Sequence, residues 1–206
     1  MNLKDFPVGS NADFAPMEAG TYNAVCSGII NLGTQTLDFA GETVHRGQML
    51  ILFEFPEETI DIDGVTLPRN LSLKISKSAN TKSNLRKTLT AWRGRDFTPE
   101  ELDDFHFTRL LGVPATVSVA QREYNGKTTA FISSIGKPMK NNQFKASRKV
   151  YFDLSDEQTY PEAEKLPKWM IDTINRSEEA NAAGLSFRRA EHHTESTRTT
   201  EEHTTF

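Results

Sequence analysis

The dipeptide Asn125-Gly126 constrains this chain most. It sits between two alternating runs, ATVSVAQREY and KTTAFISSIG. Asn-Gly with alternating flanks is the strongest short signal for a two-residue β-hairpin, because both central residues must take positive φ. A two-residue turn fixes the register: Tyr124 pairs with Lys127, Arg122 with Thr129, Ala120 with Phe131 and Val119 with Ile132. Side chains alternate across a strand, so the hairpin has two chemically distinct faces. Ala115, Val117, Val119 and Ile132 form a core face. Arg122, Tyr124, Lys127, Thr129 and Phe131 form the other. Cations and flat rings on one solvent face suit single-stranded nucleic acid, whose phosphates need Lys and Arg and whose unpaired bases need stacking surfaces. The rings could instead pack under the basic linker or against a second copy of the chain, so a homodimer stays open.

More strands precede the hairpin. TYNAVCSGIINL after Gly20 has the β-branched and aromatic content of a long strand, and QTLDFAGETV reads as a strand and turn. MLILFEFP is apolar on one face and half-apolar on the other, as in a central strand. Asp63-Gly64 is a second hairpin turn. In LSLKIS, Leu71, Leu73 and Ile75 point inward and Lys74 points outward.

Between this group and the hairpin lies KSANTKSNLRKTLTAWRGR, residues 77–95. It reads as an amphipathic helix capped by Asn80 or Thr81 and stopped at Gly94. Leu85, Leu89 and Trp92 share an apolar face. Lys82, Arg86 and Arg93 cluster beside it as a cationic ridge, with Lys87 further round. FTPEELDDF follows as a short helix with a capping box from Thr98 to Glu101 and Pro99 in its first turn.

The order is strand, strand or hairpin, strand, helix, strand, strand. Mainly β, with one or two short helices between strands, it suits a Greek-key barrel of the oligonucleotide-binding (OB) type, with a sandwich as the alternative. The expected organisation is a flexible leader at 1–16 and a barrel domain at 17–140. Residues 141–179 then hold a basic linker, an added strand at VYFDL and a docking helix in LPKWMIDTINRSEE. Residues 180–206 read as a disordered acidic tail.

Charge follows the same division. The balance is −7 over residues 1–62, +9 over 63–150 and −6 over 151–206. A basic middle between acidic ends points to an anionic partner, most often nucleic acid.

Several function classes find little support. No run of about eighteen apolar residues suggests a membrane span, and the start lacks a signal-peptide pattern. The single cysteine, Cys26, excludes an intrachain disulfide and a thiolate zinc cluster, and fits a reducing cytosol. There is no GxxxxGK phosphate loop. Asp61, Asp63, Asp103, Asp104 and His106 could seed a metal-dependent nuclease, but the first pair brackets a turn and the others end a short helix. His192 and His193 lack matching ligands nearby, so neither a metal nor a cofactor is expected.

Taken together, these residues resemble the single-stranded DNA-binding proteins encoded by tailed bacteriophages. The resemblance rests on TYNA, on FEFPEE with DG and LPR, on KSNLRKTLTAWRGRDFTPEEL, and on LLGVPATVSV with YNGK. It covers roughly residues 17–140, together with LPKWM near 166. It implies an OB barrel that coats single strands during replication or recombination in the host bacterial cytoplasm, with no catalysis. On that reading Lys74, Lys82, Arg86, Arg93, Arg122, Tyr124, Lys127 and Phe131 contact DNA. The ending EEHTTF is similar to the acidic tips of bacterial single-strand binders, which end in Phe, although it is less acidic and lacks their apolar-Pro pair. That likeness implies Phe206 as an anchor for recombinase or replication proteins. The alternatives are a nuclease or recombinase accessory domain and a protein-protein interaction module.

Overall fold

The structure is a computed structural model that describes residues 15–190, except 40, 63, 79 and 81, and except the side chains of Phe39 and Tyr124. Six strands form one sheet: β1 (Gly20–Phe39), β2 (Glu42–Ile62), β3 (Val65–Ser76), β4 (Pro114–Tyr124), β5 (Lys127–Gly136) and β6 (Val150–Phe152). The α-helices among the described residues are α1 (Asn84–Arg93), α2 (Pro99–Asp103), α3 (Lys168–Asn175) and α4 (Glu178–Ala182). The five long strands are antiparallel in the order β3-β2-β1-β4-β5. Strands β3 and β5 approach each other at the ends of that order, so the sheet curls into a nearly closed barrel. This is a mainly β, OB-like fold.

Alternation decides what fills the barrel. Cys26 and Ile29 from β1, Met49, Ile51, Phe53 and Phe55 from β2, and Ile75 from β3 face inward and are buried. Ala115, Val117 and Val119 from β4 meet them, with Ile132 and Ile135 from β5. The hairpin register is the one the Asn-Gly turn dictates: Tyr124 opposite Lys127, Arg122 opposite Thr129, Ala120 opposite Phe131, Val119 opposite Ile132. A bulge between Ser118 and Val119 then shifts the ladder by one residue. The second turn also holds, with Ile62 opposite Val65.

Helix α1 plugs the barrel end between β3 and β5. Leu85, Leu89 and Trp92 are its buried stripe. Trp92 Nε1 donates to Pro114 O at 2.7 Å, and its ring lies 5.2 Å from that of Phe53. The cap differs from expectation. Ser83 accepts from Arg86 N, while Asn80 caps the preceding turn by accepting from Lys82 N, and Thr81 lies outside the described residues. Gly94 ends the helix in the left-handed region at φ 80°. The capping box of α2 forms as the sequence predicts.

Two further differences have clear causes. First, the expected strand and turn at QTLDFAGETV is the far half of one long hairpin, because β1 runs on to Phe39. Its ladder shifts at Gly33, whose φ of 73° lets the strand kink. Second, the chain beyond residue 180 is not all tail. Helix α4 is ordered, and Phe187 packs edge-on against Phe152 and Tyr160.

The reason lies on the outer face of the sheet. Ile30, Leu32, Leu50 and Leu52 point away from the barrel and are buried under a second core. That core comes from Val150 and Phe152 of β6, Leu166, and Met170, Ile171 and Ile174 of α3. Strand β6 pairs parallel with Gly28–Ile30, just past the end of the β1-β4 ladder. Helix α4 closes on β1, where Thr34 N and Oγ1 donate to Glu179 at 2.7 Å each.

The leader is also tied at its end. Arg69 Nη1 donates to Ala15 O, and Gln121 Nε2 donates to Met17 O. No helix among the described residues is long and apolar enough to cross a membrane.

Candidate nucleic-acid interface

The β4-β5 hairpin carries Arg122, Lys127 and Phe131 on its outer face. Phe131 is half-buried, and the Arg122 guanidinium carbon lies 5.5 Å from the centre of its ring. Cross-strand neighbours on one face of an antiparallel pair are within this reach. The Arg lies over the ring, which brings a cation and a π-surface together at one spot. Arg122 and Lys127 are exposed. The backbone of Tyr124 pairs with Lys127 at the turn, and its side chain lies outside the described residues.

Lys74 is exposed on the outer face of β3, flanked by the inward-facing Leu73 and Ile75. It lines a cleft of about 330 Å³ between β3 and β5. Lys87 of α1, with Asn84 and Thr88, forms the helix wall of that cleft. Lys87 therefore shares a site with Lys74. Helical angle alone could not reveal this, since it depends on where β3 meets β5.

The expected cationic ridge of α1 is divided. Lys82 is exposed. Arg86 is only 6 % exposed, so it is not part of an open ridge. Its Nε donates to Asp96 Oδ1 at 2.7 Å and its Nη2 to Phe97 O at 2.8 Å. Arg93 makes a two-pronged ion pair with Glu101, which also receives Arg95. The guanidinium carbons of Arg86 and Arg93 lie 5.2 Å and 4.6 Å from the centre of the Phe97 ring. The acids shift accordingly. The Arg86 side chain, with Phe97 N and Thr90, holds Asp96 down to about 2. Arg93 and Arg95 hold Glu101 well below the usual carboxylate range. Arg109 in turn pairs with Asp104. The sequence signal for this was Asp96 and Glu101 standing 10 and 8 residues beyond Arg86 and Arg93, which only the fold of the connection brings together.

Beside this cluster is a cavity of about 470 Å³, floored by Leu89, Trp92, Phe97, Phe105, Leu110 and Val113. Of the residues expected to touch DNA, it includes only Arg93.

The acidic residues considered as metal ligands are dispersed. Asp61 accepts from Thr66 Oγ1 across the hairpin, and Asp63 lies outside the described residues. No group of three or more His, Cys, Asp or Glu side chains gathers as a metal site among the described residues. Burial pushes the Cys26 thiol up to about 12, which leaves it a packing residue at neutral pH. Phe206, His192 and His193 also lie outside the described residues.

Comparison with models of known protein families finds no match, and comparison with curated proteins finds none either.

Proposed function

We propose that this chain binds single-stranded DNA without strong sequence preference. It would coat strands exposed in bacteriophage replication or recombination, in the host bacterial cytoplasm and without catalysis. The observation that carries the reading is Arg122 set over Phe131 on the open face of a hairpin that belongs to an OB-like barrel. A single strand offers alternating phosphates and unpaired bases, and this face offers a guanidinium, an ammonium at Lys127 and a ring. Duplex DNA hides its base faces, so the ring would be idle there. The basic middle of the chain supports the same reading, since phosphate neutralisation dominates affinity for nucleic acid. Lys74 and Lys82 extend the set of contacts toward α1, and the tail ending in Phe206 serves recombinase or replication proteins.

The test is a titration of labelled oligothymidine with the wild-type chain and with Phe131→Ala. Loss of a stacked base should cost ~1–3 kcal/mol of binding. Stability should change little, because the ring lies outside the barrel core. Unchanged affinity in a folded Phe131→Ala protein would refute the role of this face.

A further inference from the structure

The segment between β5 and β6, residues 137–149, reads KPMKNNQFKASRK and carries five cations and no acid. It is neither helix nor strand, yet two buried polar anchors hold it in one path. Asn142, 7 % exposed, donates through Nδ2 to Ala24 O at 3.1 Å and Ala115 O at 3.0 Å, where β1 and β4 part. Five residues on, Ser147 donates to Glu54 twice, from N at 3.0 Å and from Oγ at 2.5 Å. Glu54 must point outward, because its neighbours Phe53 and Phe55 point into the barrel. It is nonetheless only 2 % exposed, so the segment crosses the outer face of the sheet above it. A buried carboxylate or amide left without partners is costly, so these bonds fix the crossing.

The lysines of this strap face the solvent. Lys137, Lys140, Lys145 and Lys149 are exposed, and none pairs with a carboxylate among the described residues. This contrasts with α1, whose Arg86 and Arg93 are taken up by Asp96 and Glu101. The two end lysines have seated stems. A Cβ on Gly94 would fall 1.5 Å from Lys137 Cε, and a Cβ on Gly112 would fall 2.7 Å from Lys149 Cε. The strap also begins at the foot of β5, the strand that carries Phe131.

We infer that the strap is a phosphate track, a row of lysines that contacts the backbone of single-stranded nucleic acid and continues the hairpin face across the barrel. The inference rests on the single-strand reading above and extends it to residues outside that site. The fold supplies the geometry: a charged segment with no secondary structure of its own is laid down as a fixed ridge by Asn142 and Glu54.

The experiment uses full-length protein with Lys140→Gln and Lys145→Gln together, since these two lysines are farthest from the seated ends. Affinity for labelled oligothymidine is measured across a salt series. Each phosphate contact contributes about 0.7 to the slope of log affinity against log salt for a single strand. Loss of two contacts should flatten the slope by about 1.4 and weaken binding roughly 25-fold near 0.1 M salt. Lys140→Arg with Lys145→Arg should keep the wild-type slope. As an independent measure on the wild type, bound oligothymidine should shield Lys140 and Lys145 from acylation, read by mass spectrometry. Wild-type slope and affinity in the Gln variant, or no shielding, would overturn the track and leave the hairpin site standing. A wild-type chain that does not bind oligothymidine would overturn both.

Discussion

Arg86 shows how context changes the meaning of a residue. On a helical wheel it belongs to a cationic ridge, but in the fold it holds the α1-α2 connection back onto α1 through Asp96, Phe97 O and the Phe97 ring. Arg86→Ala should therefore destabilise the protein by on the order of 1–3 kcal/mol, through lost packing and lost charge-assisted bonds. Its effect on DNA affinity per folded molecule should be small. The same contact predicts a pH effect. Asp96 is held near 2 in the fold against an ordinary value of 3.8. A depressed carboxylate stabilises the fold above the unfolded value, and this stabilisation is lost as pH falls through the folded value. Thermal melting of the wild type should thus weaken between about pH 4 and pH 2. In Arg86→Ala that part of the loss should shrink, and equal pH profiles for the two proteins would contradict the role given to Arg86.

At the scale of elements, α1 is a plug whose apolar side is structural. Trp92→Ala should cost ~3–5 kcal/mol of stability as a large core deletion, read by chemical denaturation. The contact of β1 with α4 gives a second test. Gly33 has φ 73°, and a Cβ there would meet Ser177 Cβ at 2.4 Å, while Ser177 caps α4 and is fully buried. Gly33→Ala should loosen α4, seen as faster amide exchange around residues 177–182 with the barrel strands unchanged. Much of this level was legible beforehand. Asn125-Gly126 set a register that holds residue for residue near the turn, and Thr98 with Glu101 marked a capping box that forms. Both are local signals, decided within a few residues. The partners of Arg86 and Arg93 were not legible, because Asp96 and Glu101 reach them only once the connection folds back. The strap escaped notice for the same reason. Its anchors, Ala24, Glu54 and Ala115, lie far away in sequence, so it read as a plain basic linker.

For the whole molecule, the C-terminal segment is part of the body. Deletion from Val150 onward would expose Ile30, Leu32, Leu50 and Leu52, each worth ~1.5–3 kcal/mol on full burial. The truncated product should aggregate or unfold. Residues 191–206 carry almost nothing apolar to bury, so deletion after Ala190 should leave melting unchanged. The four strap lysines have no carboxylate partner among the described residues, whereas Arg86, Arg93, Arg95 and Arg109 pair with Asp96, Glu101 and Asp104. The net positive field therefore lies over the strap, the hairpin and the β3-β5 cleft. Whether this surface takes a single strand by phosphate and base together can be read from one titration. Fluorescence anisotropy with oligothymidine and with duplex of equal length, at two salt concentrations, should show tighter single-strand binding and a log-log slope of about −3 to −4. Equal or tighter binding to duplex, or a slope near zero, would contradict it.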